Sequence, residues 1–168
     1  MLPMPRYLVC LTGASGAIYG LRLLEVLAGG RTEAHAQDSA ACGAAAGTEV
    51  HLVASAWGER VVAEESGLSL REHLARIEAA SGKRITRHDA ADLAAPPSSG
   101  SFRFDATAIV PASMGTVGAL ASGNVRSLVH RAGAVALKEG WPLVVAPRET
   151  PLSLVDLRNL TALAEAGA

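Results

Sequence analysis

The sequence predicts an α/β fold of three layers, α/β/α, with helices covering both faces of a mainly parallel sheet. Three observations carry that expectation. Short apolar runs alternate with stretches of helical periodicity along most of the chain, the order that βαβ units produce. The runs are apolar at consecutive positions, as strands buried on both faces must be. Hydrophobic residues make up 49% of the chain and aromatic residues only 4%, a balance that suits an α/β core better than an aromatic-rich sandwich.

Residues 7–11 read as a buried strand, and Ala17, Ile18, Leu21, Leu24 and Leu27 recur at helical spacing until Gly29 and Gly30 stop them. Residues 31–49 contain no large apolar side chain. They give a core nothing to bury and are expected to form a loop insertion. A second strand is expected over 50–54, and after Ser55 a helix through Trp57, Val61, Val62 and Glu65. Ser69 and Glu72 have the S-x-x-E spacing of a capping box, which predicts a helix over 70–80. Ile85 is placed in a short strand, 95–102 in a loop and 106–110 in the next strand. A helical pattern follows residues 111–116 as far as Ser122, and after a break at Gly123 a longer helix is expected over 126–139. Residues 142–146 form the last expected strand and 147–151 its loop. Ser153 is then placed to cap a helix over 154–164.

Composition narrows the function. The 168 residues amount to about one domain. Fifteen basic against sixteen acidic residues give a formal net charge of −1, without a long run of like charge. Nucleic acid and anionic membrane surfaces are therefore not expected partners. Every apolar run falls short of the ~18 residues of a membrane span, and 7–11 is too short for a signal-peptide core. Cys10 and Cys42 form no C-x-x-C pair and read as reduced thiols. Together these features predict a soluble, cytoplasmic protein. His35, His51, His73, His88 and His130 form neither H-x-x-x-H nor H-E-x-x-H, so each is expected to be solvated or satisfied, and no metal site is expected. Ser15 lacks the G-x-S-x-G setting of a hydrolase nucleophile.

Ligands of open parallel sheets bind beyond the carboxyl ends of the strands, where the strand order switches. The residues that follow the expected strands are Thr12, Gly13, Ala14, Ser15 and Gly16, then Ser55, then Ser113, Met114, Gly115 and Thr116, then Arg148, Glu149 and Thr150. Glycines and small hydroxyls there let backbone N–H groups approach an anion, and a helix beginning near Ala17 adds the positive end of its dipole. A phosphate-bearing ligand and a plain glycine turn both satisfy this pattern. Arg131 and Lys138 lie seven residues apart, on one helix face and about 10 Å from each other, a spacing that an ordinary solvated stripe also has. Glu65, by spacing alone, is a surface carboxylate.

Six segments together resemble the flavin prenyltransferases of the UbiX type. They are "LTGASGAIYGLRLLEVL" (11–27), "HLVASAWGERVVAEE" (51–65), "SGSF" (99–102), "PASMGTVGALASG" (111–123), "HRAGAVALKE" (130–139) and "PLVVAPRETPLSLVDLRNLTALAEAGA" (142–168). The resemblance implies a Rossmann-like flavoprotein that transfers a dimethylallyl group from dimethylallyl monophosphate to reduced FMN, at N5 and then C6, without a metal. The product, prenylated FMN, serves decarboxylases of the UbiD type. Carried over position by position, Gly13, Ala14, Ser15, Ser55, Ser113, Met114, Gly115, Thr116 and Arg148 would contact FMN. Arg131, Lys138, Arg148 and Glu149 would surround the prenyl phosphate, and Ser15 and Glu65 would place and move protons around N5.

The resemblance further implies a homo-oligomer, a dodecamer in the family, with sites at subunit contacts. The family continues past the position of Ala168 with a strand, a segment bearing a phosphate-contacting tyrosine and a basic residue, and a helix. A single flavin prenyltransferase-like domain over 1–168, truncated at its C-terminal end, is therefore expected. Two alternatives stand beside the transferase: a flavin-binding assembly subunit without activity, and an FMN-dependent decarboxylase related to the cysteine decarboxylases.

Overall fold

The computed structural model describes residues 4–29 and 47–168. His35, Cys42 and most of the expected insertion lie outside the described residues. Among the described residues five strands form one sheet, β1 (Arg6–Leu11), β2 (Glu49–Ala54), β3 (Ile85–Asp89), β4 (Ala106–Ala112) and β5 (Leu143–Pro147). All neighbours pair in parallel, in the order β3-β2-β1-β4-β5. The helices are α1 (Ala17–Leu27), α2 (Ala56–Ser66), α3 (Leu70–Ser81), α4 (Met114–Ala121), α5 (Leu128–Glu139) and α6 (Leu154–Glu165). Among the described residues no helix is long and apolar enough to cross a membrane.

Side chains of a strand alternate between faces, and β1 divides two cores in this way. Val9 and Leu11 pack with Leu21 and Leu24 of α1, Val62 of α2 and Leu74 and Ile77 of α3. Leu8 and Cys10 face the other side, with Val117 and Leu120 of α4, Leu128, Val129, Ala132 and Ala136 of α5, and Leu163 of α6. Helices thus cover both faces, as the sequence predicts, three on each among the described residues. Burial pushes the Cys10 thiol up to about 12, so it stays protonated and serves as packing. The layers approach closely at glycine. A Cβ on Gly20 would run into the Val110 carbonyl oxygen and the Leu11 side chain, and one on Gly58 would lie 2.6 Å from the Leu11 carbonyl oxygen.

The expected boundaries move in several places. β2 begins at Glu49, the last residue assigned to the insertion, because Arg6 and Glu49 pair in register and the Arg6 Nε donates to the Glu49 carboxylate at 2.6 Å. β4 continues through Pro111 and Ala112, and α4 starts directly after Ser113, whose hydroxyl accepts from Thr116 N at 3.3 Å. α5 starts at Leu128 rather than 126, since Ser127 is its cap. β5 is shifted by one residue, to Leu143–Pro147. The capping box at Ser69 and Glu72 is present, and Ser153 forms a second with Asp156. Among the described residues β3 and β5 are the outermost strands of the sheet.

Beside β2 the histidines are satisfied, as expected. His51 is 6% exposed, its Nδ1 lies 2.9 Å from His88 Nε2, and Phe102 and Phe104 meet its ring edge-on. Glu49, itself held by Arg6, is 3.6 Å from the other ring nitrogen, and Asp92 is the charge that acts on His88. Burial is the largest effect on both rings and lowers both from the ordinary histidine value. A group depressed on folding binds more protons when unfolded, so its stability is complete above the ordinary histidine value and is lost as pH falls below it. The urea midpoint is expected to fall between about pH 7.5 and about pH 5.5, and His88→Gln to flatten that fall. A midpoint unchanged across this range would show that the pair has no such effect.

Candidate active site

The chain lays β1, β2 and β3 outward in one direction, then crosses back to β4 and β5 on the other side of β1. The order therefore switches between β1 and β4, where an open parallel sheet forms its crevice. Residues 12–16 and 113–116 follow those two strands. Backbone bonds align the flanking loops with them, Ser55 N donating to Leu11 O at 3.0 Å and Arg148 N to Ala112 O at 3.4 Å. Gly13, Ala14, Ser15, Ser55, Ser113, Met114, Gly115, Thr116, Arg148 and Glu149 consequently share one edge of the sheet. Gly13, Ser15, Gly115, Arg148 and Glu149 are exposed there, Ser55, Ser113 and Met114 are half-buried, and Ala14 and Thr116 are buried.

Two of these serines also build the helices behind them. Ser55 Oγ accepts from Gly58 N at 3.0 Å at the start of α2, and Ser113 caps α4. The backbone carries the remaining polarity of the crevice, since α2 and α4 present their positive ends to it.

The start of α1 departs from expectation. Gly16 is left-handed, with φ 96°, and supplies no side-chain cap. The Glu65 carboxylate takes the orphan donors, accepting from Gly16 N at 2.8 Å and Ala17 N at 2.9 Å. The anion at this helix terminus is the protein's own, which corrects the reading of α1 as a free phosphate seat. It also gives Glu65 a defined place one residue from Ser15. No local spacing could have revealed it, because the bonds join residues 48 and 49 apart.

The cations divide. α5 runs antiparallel to the strands, from the Leu128 N–H on Ala90 O, just past the carboxyl end of β3, down to the start of β5. Arg131 sits in its upper half, with Nε donating to Ser98 O at 2.9 Å. Lys138 sits in its last turn, 65% exposed and paired with Glu139 at 2.5 Å. A five-residue strand spans about 17 Å, so Arg148 and Glu149 lie at the opposite end of the sheet from Lys138. One subunit does not bring together the four expected phosphate ligands.

Two further residues of this edge escaped the sequence reading of individual roles. Thr12 is 3% exposed, its hydroxyl 2.8 Å from Pro111 O and 2.7 Å from Ser113 N. Trp57 is 65% exposed, with its Cβ 2.6 Å from where a Gly13 Cβ would stand. A polar residue ending an apolar run, and a bulky ring three residues after a strand, were the available signals.

The Flavoprotein family matches along residues 1–168. Flavin prenyltransferase LpdB of Lactiplantibacillus plantarum is 42% identical over 165 residues, which span 98% of this chain and 76% of that protein. Flavin prenyltransferase UbiX of Escherichia coli K12 is 40% identical over 165 residues, with the same shares of each chain. The chain belongs to the Flavoprotein family, on its flavin prenyltransferase branch. Among solved structures, AnUbiX (PadA1) in complex with FMN and dimethylallyl pyrophosphate matches with a TM-score of 0.80 at 36% identity, over 99% of this chain and 76% of that one. The cysteine decarboxylase TvaF matches at 18% identity and a TM-score of 0.66, a likeness of fold alone. Identity therefore favours the flavin prenyltransferase branch over the decarboxylase alternative.

Proposed function

We propose that the protein transfers a dimethylallyl group from dimethylallyl monophosphate to reduced FMN and so supplies prenylated FMN to a UbiD-type decarboxylase. The observation that carries this reading is the alignment of Ser15, Ser55, Ser113, Thr116 and Arg148 along the crevice between β1 and β4. Hydroxyl donors, helix N-termini and one guanidinium fit a phosphate-bearing flavin, and the exposed Gly13 leaves its backbone open to a flat ring. Gly13, Ala14, Ser15, Ser55, Ser113, Met114, Gly115, Thr116 and Arg148 are the residues we assign to the flavin. Reduced FMN supplies the nucleophilic N5 and C6 that accept the allyl group.

The residues of this chain have the remaining work. The allylic C–O bond breaks with its electron pair on the phosphate, and cations aimed at that oxygen stabilise the charge as it develops. Arg131, Lys138 and Arg148 are assigned to it, with Glu149 beside Arg148. Ser15 and Glu65 are assigned to the proton at N5. Because Lys138 stands at the far end of its own subunit, we assign it to the crevice of a neighbouring copy. A homo-oligomer supports this, and the E. coli O157:H7 UbiX-like decarboxylase, 36% identical with a TM-score of 0.78 over 97% of this chain and 77% of that one, is dodecameric. We take 1–168 as one flavin prenyltransferase-like domain. The buried free thiol of Cys10 suits a cytoplasmic site of action.

Anaerobic incubation with reduced FMN and dimethylallyl monophosphate, without added metal, is expected to raise the mass of the bound flavin by one isoprenyl unit. Flavin bound without that gain would leave a binding subunit in place of the transferase, and no binding would overturn the reading altogether.

A further inference from the structure

The backbone ladder between β1 and β4 runs from Tyr7 and Ala106 to Cys10 and Ile109, and on its other side β4 shifts register against β5 between Ile109 and Ala112. Beyond that point the two strands lead into separate loops at the switch in strand order. One side chain spans the gap. The Thr12 hydroxyl donates to Pro111 O at 2.8 Å and accepts from Ser113 N at 2.7 Å, while Thr12 N donates to the same Pro111 oxygen at 3.3 Å. It thus uses both its donor and an acceptor site, at 3% exposure, between residues 99 and 101 positions away.

We infer that Thr12 is a positioning residue, whose hydroxyl clamps the 12–16 loop to the 113–116 loop and so sets the width of the flavin crevice. This rests on the assignment of those loops to FMN. The clamp acts on Ser113 directly, because the amide that Thr12 holds belongs to the residue whose hydroxyl caps α4. Without it, the half-buried Ser113 N–H loses its partner and the buried Pro111 C=O keeps only the 3.3 Å bond from Thr12 N. Pro111 itself has no N–H to offer in compensation. The expected consequence is a crevice of variable width, which a ligand spanning both loops must first close.

Thr12→Val removes the hydroxyl and keeps the branched shape, whereas Thr12→Ser keeps both hydrogen bonds. Ile77→Ala, in α3 and remote from the crevice, controls for lost stability. With FMN as the probe, Thr12→Val is expected to weaken binding at least about tenfold, the effect of one good buried hydrogen bond at about 1.4 kcal/mol. Thr12→Ser is expected to stay within about threefold of the unaltered protein, and Ile77→Ala to bind FMN normally while unfolding earlier in urea. In the unaltered, flavin-free protein the Ser113 amide is expected to exchange slowly with deuterium. The inference is overturned if folded Thr12→Val binds FMN normally, if Thr12→Ser loses affinity as Thr12→Val does, or if the Ser113 amide exchanges as fast as an open loop. Should Thr12→Val not fold, the serine variant and the exchange rate decide the matter. Failure of the unaltered protein to bind FMN would instead overturn the functional reading, a distinct outcome.

Discussion

Lys138→Ala is expected to abolish prenyl transfer while leaving FMN bound, and a mixed oligomer with Ser15→Ala is expected to recover activity. The first part follows from charge. A cation aimed at a leaving phosphate acts mainly in the transition state, and its loss lowers kcat by about 100-fold or more, with little effect on a flavin held by other residues. The second part follows from the path of α5. Lys138 ends that helix beside the start of β5, whereas Ser15 follows the carboxyl end of β1. If the lysine serves a neighbour's crevice, then in a random mixture of the two variants roughly a quarter of the sites unite a native Ser15 with a native Lys138. Co-expression of the two variants, followed by the flavin mass assay, measures this. Zero recovery in a well-mixed oligomer would place both residues in one subunit's site and contradict the geometry of α5.

Gly20→Ala should be the most damaging change of a single methyl group. The added Cβ would strike the Val110 carbonyl and the Leu11 side chain. Backbone on one side and a fully buried leucine on the other leave no room for relief. Overpacking a core costs about 1–3 kcal/mol where side chains can shift, and we expect at least the upper end of that range here. Either α1 lifts from the sheet or the β1/β4 edge deforms, and both disturb the crevice. Gly67→Ala makes a fair comparison, with φ of 72° and no atom within 4 Å of the added Cβ. It is expected to cost about 1 kcal/mol. Urea unfolding of the two variants tests the contrast, and equal losses would refute the packing argument.

The layers were legible because a parallel strand buried on both faces and an amphipathic helix write different periods into a sequence. Ser69 with Glu72, and Ser153, mark helix starts in the same local way. Pro111 misled the reading. Proline breaks a ladder, which argues against a central strand, but here it occupies the register shift between Ile109 and Ala112, where the ladder is already interrupted. Residues that act between elements were less legible still. Glu65 of α2 at the start of α1, Thr12 between two loops and Lys138 at the end of α5 all depend on where separate elements come to rest, and no neighbour in sequence records that. For Glu65 and Lys138, the resemblance named the residues and the fold placed them.

The two edges of the sheet invite different company. β3 carries Thr86, Arg87, His88 and Asp89, with Arg87 engaged by Glu59 of α2, and such charge discourages a foreign strand from annealing there. β5 is Leu143, Val144, Val145, Ala146 and Pro147, and Val144 is 54% exposed. An apolar, β-prone ribbon of this kind readily accepts a further strand alongside it, over a length that its five residues and terminal proline limit.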